Sequence, residues 1–414
     1  MPWDKTQAYG PFLHLFHWER SLWGPLAAQG VIASHLVWLA QRAVRGQAGP
    51  GWHLLACAGL AGLTAAPWFL ATLMPDAFTA LVPLALFLLA FGGLSPRESW
   101  WVGGLATLFI AAHLSHLPTV AAVLAVILLL AWRLGPVLRA TAPAELAVLL
   151  PCLATLVAFD RFTPSPHGAA FLLARLQADG PAAALIRDRC PAAGWHLCAF
   201  ADRLPIDSDE FLWDPGSPLN IEADGTPRPM GAMQGAREAQ AIIAETLATH
   251  PGGVALAALR NAVAQLGKTA VGDTLVDDHL ALSARRPIAG HFPPEELAAF
   301  DAGAQMRGTL PALAEPFLLP HIPVLLGCAL LAPWLLWRQG LGRQGLWSRG
   351  LRGGGPGAAL LAIALVALLA NAVATGALSK PHHRYQARIA WLLPLAVGLA
   401  LMPRATGPLA PSRQ

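Results

Sequence analysis

The densest group of chemically capable side chains lies near the C-terminus, within six positions: Lys380, His382, His383, Arg384 and Tyr385. Arginine suits the recognition of a phosphate, because its planar guanidinium matches the phosphate oxygens and keeps its charge. The segment therefore predicts a site for an anion, with Arg384 as the main cation. The alternative is that Arg384 anchors the end of a membrane helix and that Tyr385 belongs to the aromatic belt.

Asp76 is the acidic residue best placed to act as a general base. It follows Pro75 at the edge of an apolar stretch, where an ionisable group is costly unless it is hydrated or paired. A carboxylate in this position could take the proton of an attacking hydroxyl group. The structural alternative is an acid at a helix N-terminus, which the helix dipole stabilises.

Two histidines and a glutamate are further candidates. His113 and His116 lie three residues apart on one predicted helix face, where they could bind a phosphate, move a proton or coordinate a metal. Two histidines do not complete a metal site, and a polar hairpin tip is the simpler interpretation. Glu19 could line the same cavity or only cap the first membrane span.

An acidic cluster leaves a divalent cation open as a cofactor. It could also bind sugar hydroxyls or be a solvated loop, and its members are Asp202, Asp207, Asp209, Glu210 and Asp214. We find no zinc motif, Walker-type phosphate loop, dinucleotide fingerprint or nucleophile elbow. Their absence argues against an ATP-driven pump and a soluble-type hydrolase. The net charge of +4 is too small to indicate a nucleic-acid partner.

Membrane helices must position these side chains. The chain is 55% hydrophobic and 13% charged, whereas soluble proteins carry about 25% charged residues. We predict an all-α polytopic membrane protein with about nine transmembrane helices of roughly 20 residues and one α-rich extramembrane domain. The predicted spans are Leu22–Arg42, His53–Phe69, Ala77–Leu94, Val102–His116, Pro118–Trp132, Glu145–Phe159, Leu318–Trp337, Ala358–Leu378 and Ile389–Met402.

Basic residues in alternate short loops predict the orientation. Arg42, Arg97 and Arg133 fall on one side, which the positive-inside rule assigns to the cytoplasm. The loop that contains Lys380, Arg384 and Arg388 falls on the other side and violates the rule, which favours a role in holding an anion. Residues 1–20 fall on that outer side without a preceding span, which favours a missing first helix over a tail that crosses alone.

The predicted organisation has three parts in a bacterial inner membrane. Residues 1–159 form a bundle of about six spans, residues 160–317 a periplasmic domain and residues 318–414 a bundle of about three spans. A periplasmic location would allow a disulfide between Cys190 and Cys198. The helical pattern of Val254–Leu266 carries an apolar stripe that could lie on the membrane surface or pack in a core.

Three stretches of the sequence, taken in their order along the chain, carry a resemblance to a known family. Lys5–Arg45 has an aromatic and proline-containing entry before a helix with a central Gln29, and Ala66–Leu94 contains the turn Leu73-Met74-Pro75-Asp76. Pro381–Ala400 reads PHHRYQARIAWLLPLAVGLA. Together these stretches, about a fifth of the chain, resemble the polyprenyl-phosphate-dependent glycosyltransferases of the GT-C superfamily, which include protein mannosyltransferases and lipid A aminoarabinose transferases.

The resemblance implies transfer of a sugar from a polyprenyl-phosphate carrier to an envelope glycan, lipid or protein at the periplasmic face. The family's main catalytic acid follows its first helix, which has no counterpart in this sequence. Asp4 is the only acid near that place, and it is not part of an acidic pair. Asp4 and Asp76 are therefore the candidate catalytic acids. The alternatives are a non-catalytic or degenerate membrane scaffold and a transporter of lipid-linked substrates.

Overall fold

The computed structural model describes residues 8–131, 133–165, 167–278, 280–341 and 355–403. Within these ranges the chain is helical and contains no β-strand, which confirms the all-α prediction. The candidate acid Asp4 lies outside the described residues.

The helices follow one another along the whole described chain. The first are α1 (Tyr9–His17), α2 (Trp23–Arg45), α3 (Pro50–Leu63), α4 (Ala66–Leu70), α5 (Leu81–Phe91), α6 (Pro96–Ala112), α7 (His116–Ala131) and α8 (Leu134–Phe159). The middle ones are α9 (Ala169–Ala178), α10 (Pro181–Arg189), α11 (Ser208–Trp213), α12 (Gly231–Gln234), α13 (Ala236–Thr249), α14 (Pro251–Leu266), α15 (Leu280–Ser283), α16 (Arg285–His291), α17 (Pro294–Asp301) and α18 (Leu310–Leu318). The last are α19 (His321–Leu336), α20 (Pro356–Leu378), α21 (His383–Ala390) and α22 (Leu392–Leu401). Short 3-10 helices cover Pro75–Phe78 and His196–Arg203, and a π-helical turn covers Trp337–Leu341.

Several of these helices are apolar enough to suggest a membrane protein. Among the described residues, three segments are long and apolar enough to cross a bilayer: Leu134–Phe159, Leu310–Gln339 and Pro356–Leu378. Two bent pairs, α9 with α10 and α13 with α14, raise the number to five if each pair counts as one span. The nine predicted spans are therefore not confirmed.

The physical reason for this difference is helix length. α5 has 11 residues and α22 has 10, and at 1.5 Å per residue each reaches only about half of a hydrocarbon core roughly 30 Å thick. α2 is long enough with 23 residues, but Gln29 and His35 interrupt its apolar sequence. A hydropathy pattern shows where the apolar residues are, but it does not show where turns interrupt the helix. The predicted spans are therefore longer than the observed helices α5 and α22.

The chain divides into two compact units. The smaller unit contains Leu149–Gly267 and Ala372–His382. The larger unit contains Gln7–Val148, Lys268–Asn371 and His383–Gln414. The predicted extramembrane domain, residues 160–317, is defined by its position outside the bilayer, whereas these units are defined by packing. Its boundaries therefore stay a prediction.

α5 forms the centre of the larger unit. Every residue from Leu81 to Ala90 is buried, and the helix packs against α2, α6 and α7. The 3-10 helix Pro75–Phe78 comes shortly before α5, and Asp76, Ala77 and Phe78 are buried in it. Asp76 is therefore held at the N-terminal end of the best-packed helix of the unit.

The smaller unit has a core of its own, which includes Leu173, Ile186, Phe211 and Ile242. Cys190 and Cys198 form the disulfide that the sequence left open.

The apolar stripe of α14 is exposed rather than packed in that core. Leu256, Leu259 and Val263 are 69%, 62% and 62% exposed. The other side of α14 packs closely against Gly376. A Cβ atom added to this glycine would lie only 2.7 Å from the backbone oxygen of Asn261 on α14. Gly376 lies near the end of α20, a candidate span. α14 therefore crosses the end of a candidate span and presents an uncovered apolar face.

We expect this face to contact lipid at the membrane interface. A nitroxide at Leu259→Cys, in a variant whose Cys57, Cys152 and Cys328 are alanine, should be more accessible to oxygen than to a water-soluble nickel chelate in reconstituted protein. Asp202→Cys, on an exposed polar segment, is the matched control and should show the reverse order. Equal nickel accessibility at both positions would contradict lipid contact.

Candidate functional site

A buried ion pair joins two distant parts of the larger unit. Arg388, on α21, donates through Nη1 to Asp76 Oδ1 at 3.0 Å. Asp76 is 3% exposed and Arg388 is 1% exposed. A buried charge without a partner is strongly unfavourable, so each of these residues requires the other.

A hydrogen-bonded chain extends from this pair to His113. Arg388 Nη2 donates to Ser115 Oγ at 3.0 Å, and Ser115 Oγ lies 2.7 Å from His113 Nδ1. The backbone N–H of Ser115 also donates to this nitrogen, at 3.1 Å. His113 Nδ1 is thus an acceptor, so the proton of the neutral ring lies on Nε2. The chain Asp76–Arg388–Ser115–His113 has a defined direction of hydrogen bonding.

Tyr385 brings a second arginine to this cluster. The guanidinium carbons of Arg384 and Arg388 each lie 5.1 Å from the centre of the Tyr385 ring. Arg384 Nη2 lies 3.5 Å from Tyr385 Oη, and Arg384 Nε is buried without a hydrogen-bond partner among the described residues. Two guanidinium groups therefore share one aromatic ring, and Asp76 neutralises one of them.

Buried amides hold the two backbone segments that carry the cluster. Asn371 on α20 donates to the backbone oxygen of Tyr385 at 2.7 Å and to Gln386 Oε1 at 2.8 Å. Gln29 on α2 donates to the backbone oxygens of Leu70 and Thr72, shortly before Asp76. These hydrogen bonds help to position Asp76 and α21 independently of the ion pair between Asp76 and Arg388.

The cluster corresponds in part to the predicted site. The structure brings together Asp76, His113, Arg384 and Tyr385, four of the residues selected from the sequence, and their role as a site stays a prediction. His116 is buried beside them, but its two ring nitrogens are hydrogen-bonded to Thr79 Oγ1 and the Phe109 carbonyl. His116 therefore supports the packing of this region.

Other predicted residues have different surroundings. Lys380 forms ion pairs with Asp207 and Asp209, and His382 lies 3.1 Å from Asp209. His383 Nδ1 accepts from the backbone N–H of Ala270. Glu19 is exposed in the turn after α1. The predicted acidic cluster thus contributes two of its members to ion pairs within the smaller unit.

Arg388 and Ser115 are functional candidates that the sequence analysis did not select. In the sequence, Arg388 is only one of three bases in a predicted outer loop. Its position four residues after Arg384, on the same face of α21, is the signal that could have identified it. Ser115 has no comparable signal, because serine is a common residue in turns.

The described residues contain no group of three or more His, Cys, Asp or Glu side chains that could hold a metal ion. Comparison with family models, curated proteins and solved structures found no match to this chain.

The ion pairs of Lys380 predict an acid-sensitive contribution to stability. The hydrogen bond from His382 and the charge of Lys380 lower the pKa of Asp209 against the effect of burial. Burial opposes ionisation of Asp207, but the hydrogen bond and charge of Lys380, together with the backbone N–H groups of Asp209 and Glu210, outweigh it and lower this pKa as well. Since both values fall below the ordinary 3.8, the stabilisation is present above that pH and is lost as the pH falls further.

Lys380→Gln should therefore remove about 0.2–1 kcal/mol at pH 7, because these side chains are partly exposed. The loss should shrink as the pH approaches 3. Thermal unfolding of the purified protein at several pH values measures the difference, with Arg97→Gln as a control that lacks such partners in the described residues. A constant difference from pH 7 to pH 3 would contradict the assignment.

Proposed function

We propose that this protein is a membrane glycosyltransferase that moves a sugar from a polyprenyl-phosphate carrier to an acceptor of the bacterial cell envelope, at the periplasmic face of the inner membrane. The observation that carries the proposal is Arg384, whose guanidinium lies against Tyr385 with a buried, unpartnered Nε. A buried donor of this kind is costly unless a ligand accepts from it. A phosphate oxygen is a suitable acceptor.

The charges around Arg384 favour an anion. Asp76 neutralises Arg388, so that Arg384 adds a further positive charge beside the same ring. Asp273 accepts from the backbone N–H of Arg384 rather than from its side chain. The guanidinium group therefore stays directed to a ligand such as the departing lipid phosphate.

An apolar cavity in the same unit suits the polyprenyl chain. Its volume is about 340 Å³, and its lining includes Leu26, Leu60, Leu70 and Trp391. Trp391 is the residue directly after α21, the helix that carries both arginines. This cavity is the candidate site for isoprene units of a lipid whose phosphate binds Arg384.

Asp76 is the proposed base. Arg388 binds its Oδ1, while Oδ2 has no hydrogen bond within the described residues. In the transfer step, the acceptor hydroxyl attacks the anomeric carbon and its proton passes to Asp76. The bond from that carbon to the phosphate oxygen breaks, and the electron pair leaves with polyprenyl phosphate, whose charge Arg384 stabilises.

One observation favours a non-catalytic membrane scaffold instead. Asp76 and Arg388 are almost completely buried and form an ion pair with each other, which is how a purely structural ion pair would be arranged. In that case the cluster would hold α21 against the 3-10 helix Pro75–Phe78 and would bind no substrate.

A glycosyltransferase and a scaffold can be distinguished by whether the protein consumes a labelled polyprenyl-phosphate sugar. Purified protein would be incubated with polyprenyl-phosphate sugars that carry a radiolabelled sugar, with a membrane extract as the source of acceptors. The glycosyltransferase is expected to release free polyprenyl phosphate and to label an acceptor. Absence of both products for every sugar tested, from protein that is folded, would favour the scaffold.

A further inference from the structure

A second polar feature of the larger unit lies at the other end of α5 from Asp76. There α5, α6 and α8 enclose a groove of about 610 Å³. Gly103 and Gly104 on α6 leave its wall open, and Pro143 and Leu146 on α8 form the opposite wall. Apart from Ser99, Thr107 and Arg139, its lining is apolar, and the Thr107 hydroxyl donates to the Gly103 carbonyl.

The groove adjoins a candidate membrane span that is largely exposed. α8 is a candidate membrane span, and only 28% of its most apolar window is buried. Trp100 and Leu146, which line the groove, are 84% and 47% exposed. An apolar groove at the exposed face of a membrane span is filled by hydrocarbon, since no water is available there.

Arg139 supplies a charge at the edge of this groove. It is the sixth residue of α8, about 7.5 Å from the start of the helix at 1.5 Å per residue. Its Nε donates to the backbone oxygen of Leu89 at 3.1 Å, which fixes the guanidinium group. Its two Nη atoms have no hydrogen bond or ion pair within the described part of the chain.

The depth of Arg139 matches the headgroup region of a bilayer. An arginine near the end of a span lies at the level of the lipid phosphates, and basic pockets between membrane helices bind anionic headgroups. A fixed cation at the edge of an apolar groove therefore complements one phosphate and one acyl chain of a single lipid molecule.

We propose that this groove is a binding site for an anionic phospholipid. The lipid phosphate binds the Nη atoms of Arg139, and one acyl chain lies over Gly103 and Gly104 between α6 and α8. The site is separate from the cluster around Asp76 and does not depend on the proposed glycosyl transfer.

Native mass spectrometry of the full chain in detergent tests this site with phosphatidylglycerol and phosphatidylcholine as probes. We expect phosphatidylglycerol to bind more tightly than phosphatidylcholine. Arg139→Gln should weaken the binding of phosphatidylglycerol about fivefold, since one arginine near a membrane contributes about 1 kcal/mol. Arg133→Gln, which removes an exposed arginine outside the groove, should leave it unchanged.

A second variant fills the groove and keeps the charge. A Cβ atom at Gly103 meets nothing closer than Pro143 at 4.0 Å, so Gly103→Leu should fold and exclude the acyl chain. It should reduce phosphatidylglycerol binding although Arg139 is intact. Equal affinity for the two lipids, wild-type binding by Arg139→Gln or by Gly103→Leu, or displacement of the lipid by inorganic phosphate would each overturn the proposal.

Discussion

Arg388→Met is expected to destabilise the protein by about 3–5 kcal/mol, because it leaves a buried carboxylate without its partner. Asp76 is 3% exposed, so water cannot replace the lost guanidinium. Ser115 also loses the group that donates to its hydroxyl. Methionine has a flexible apolar side chain and fills most of the vacated volume, so that the loss of charge dominates over the loss of packing. Unfolding of the purified protein by titration with a denaturing detergent measures the change.

The matched control removes both charges together. Asp76→Asn combined with Arg388→Met should recover a large part of the lost stability, since no uncompensated charge remains. Arg384→Gln should change stability much less, because Arg384 is only partly buried. If the double variant is no more stable than Arg388→Met, the ion pair is not the reason for the destabilisation.

Arg384→Gln is expected to reduce sugar transfer by about 10²–10³-fold while the protein stays folded. The reason is the loss of a preorganised charge at the point where the phosphate leaves, for which single-donor deletions have effects of this size. Glutamine keeps a hydrogen-bond donor and much of the contact with Tyr385, so the charge is the main change. Release of polyprenyl phosphate from purified protein in detergent gives kcat and KM for each variant.

The control for this experiment is Arg97→Gln, which removes an exposed arginine on α6. It should transfer sugar at the wild-type rate. A fall in kcat with little change in KM would fit a charge that acts mainly on the leaving group. Wild-type transfer by Arg384→Gln would remove this residue from the mechanism, whatever the stability of the ion pair.

Individual residues of the cluster can be selected from the sequence because charge is unusual in an apolar chain. Asp76 and Arg384 are conspicuous for their types and for their position beside apolar stretches. Their contacts could not be derived, because Asp76 and Arg388 are 312 positions apart and meet only through the fold. The role of Ser115 could not be derived from the sequence either, since it depends on the position of its hydroxyl between Arg388 and His113.

Neighbours in sequence need not share a site. Lys380 and His382 lie four and two positions before Arg384, yet Lys380 forms an ion pair with Asp209 and His382 a hydrogen bond with it within the smaller unit. The division falls between His382 and His383, at the start of α21. The bases that are neighbours along the chain therefore belong to two different compact units.

The central claim is that Arg384 binds the phosphate of a polyprenyl carrier. A structure of the protein with a polyprenyl-phosphate analogue tests it most directly. We predict phosphate oxygens within about 3 Å of Arg384 Nε or Nη, with the isoprene chain toward Trp391. A phosphate bound away from Tyr385, with Arg384 Nε still lacking an acceptor, would contradict the claim.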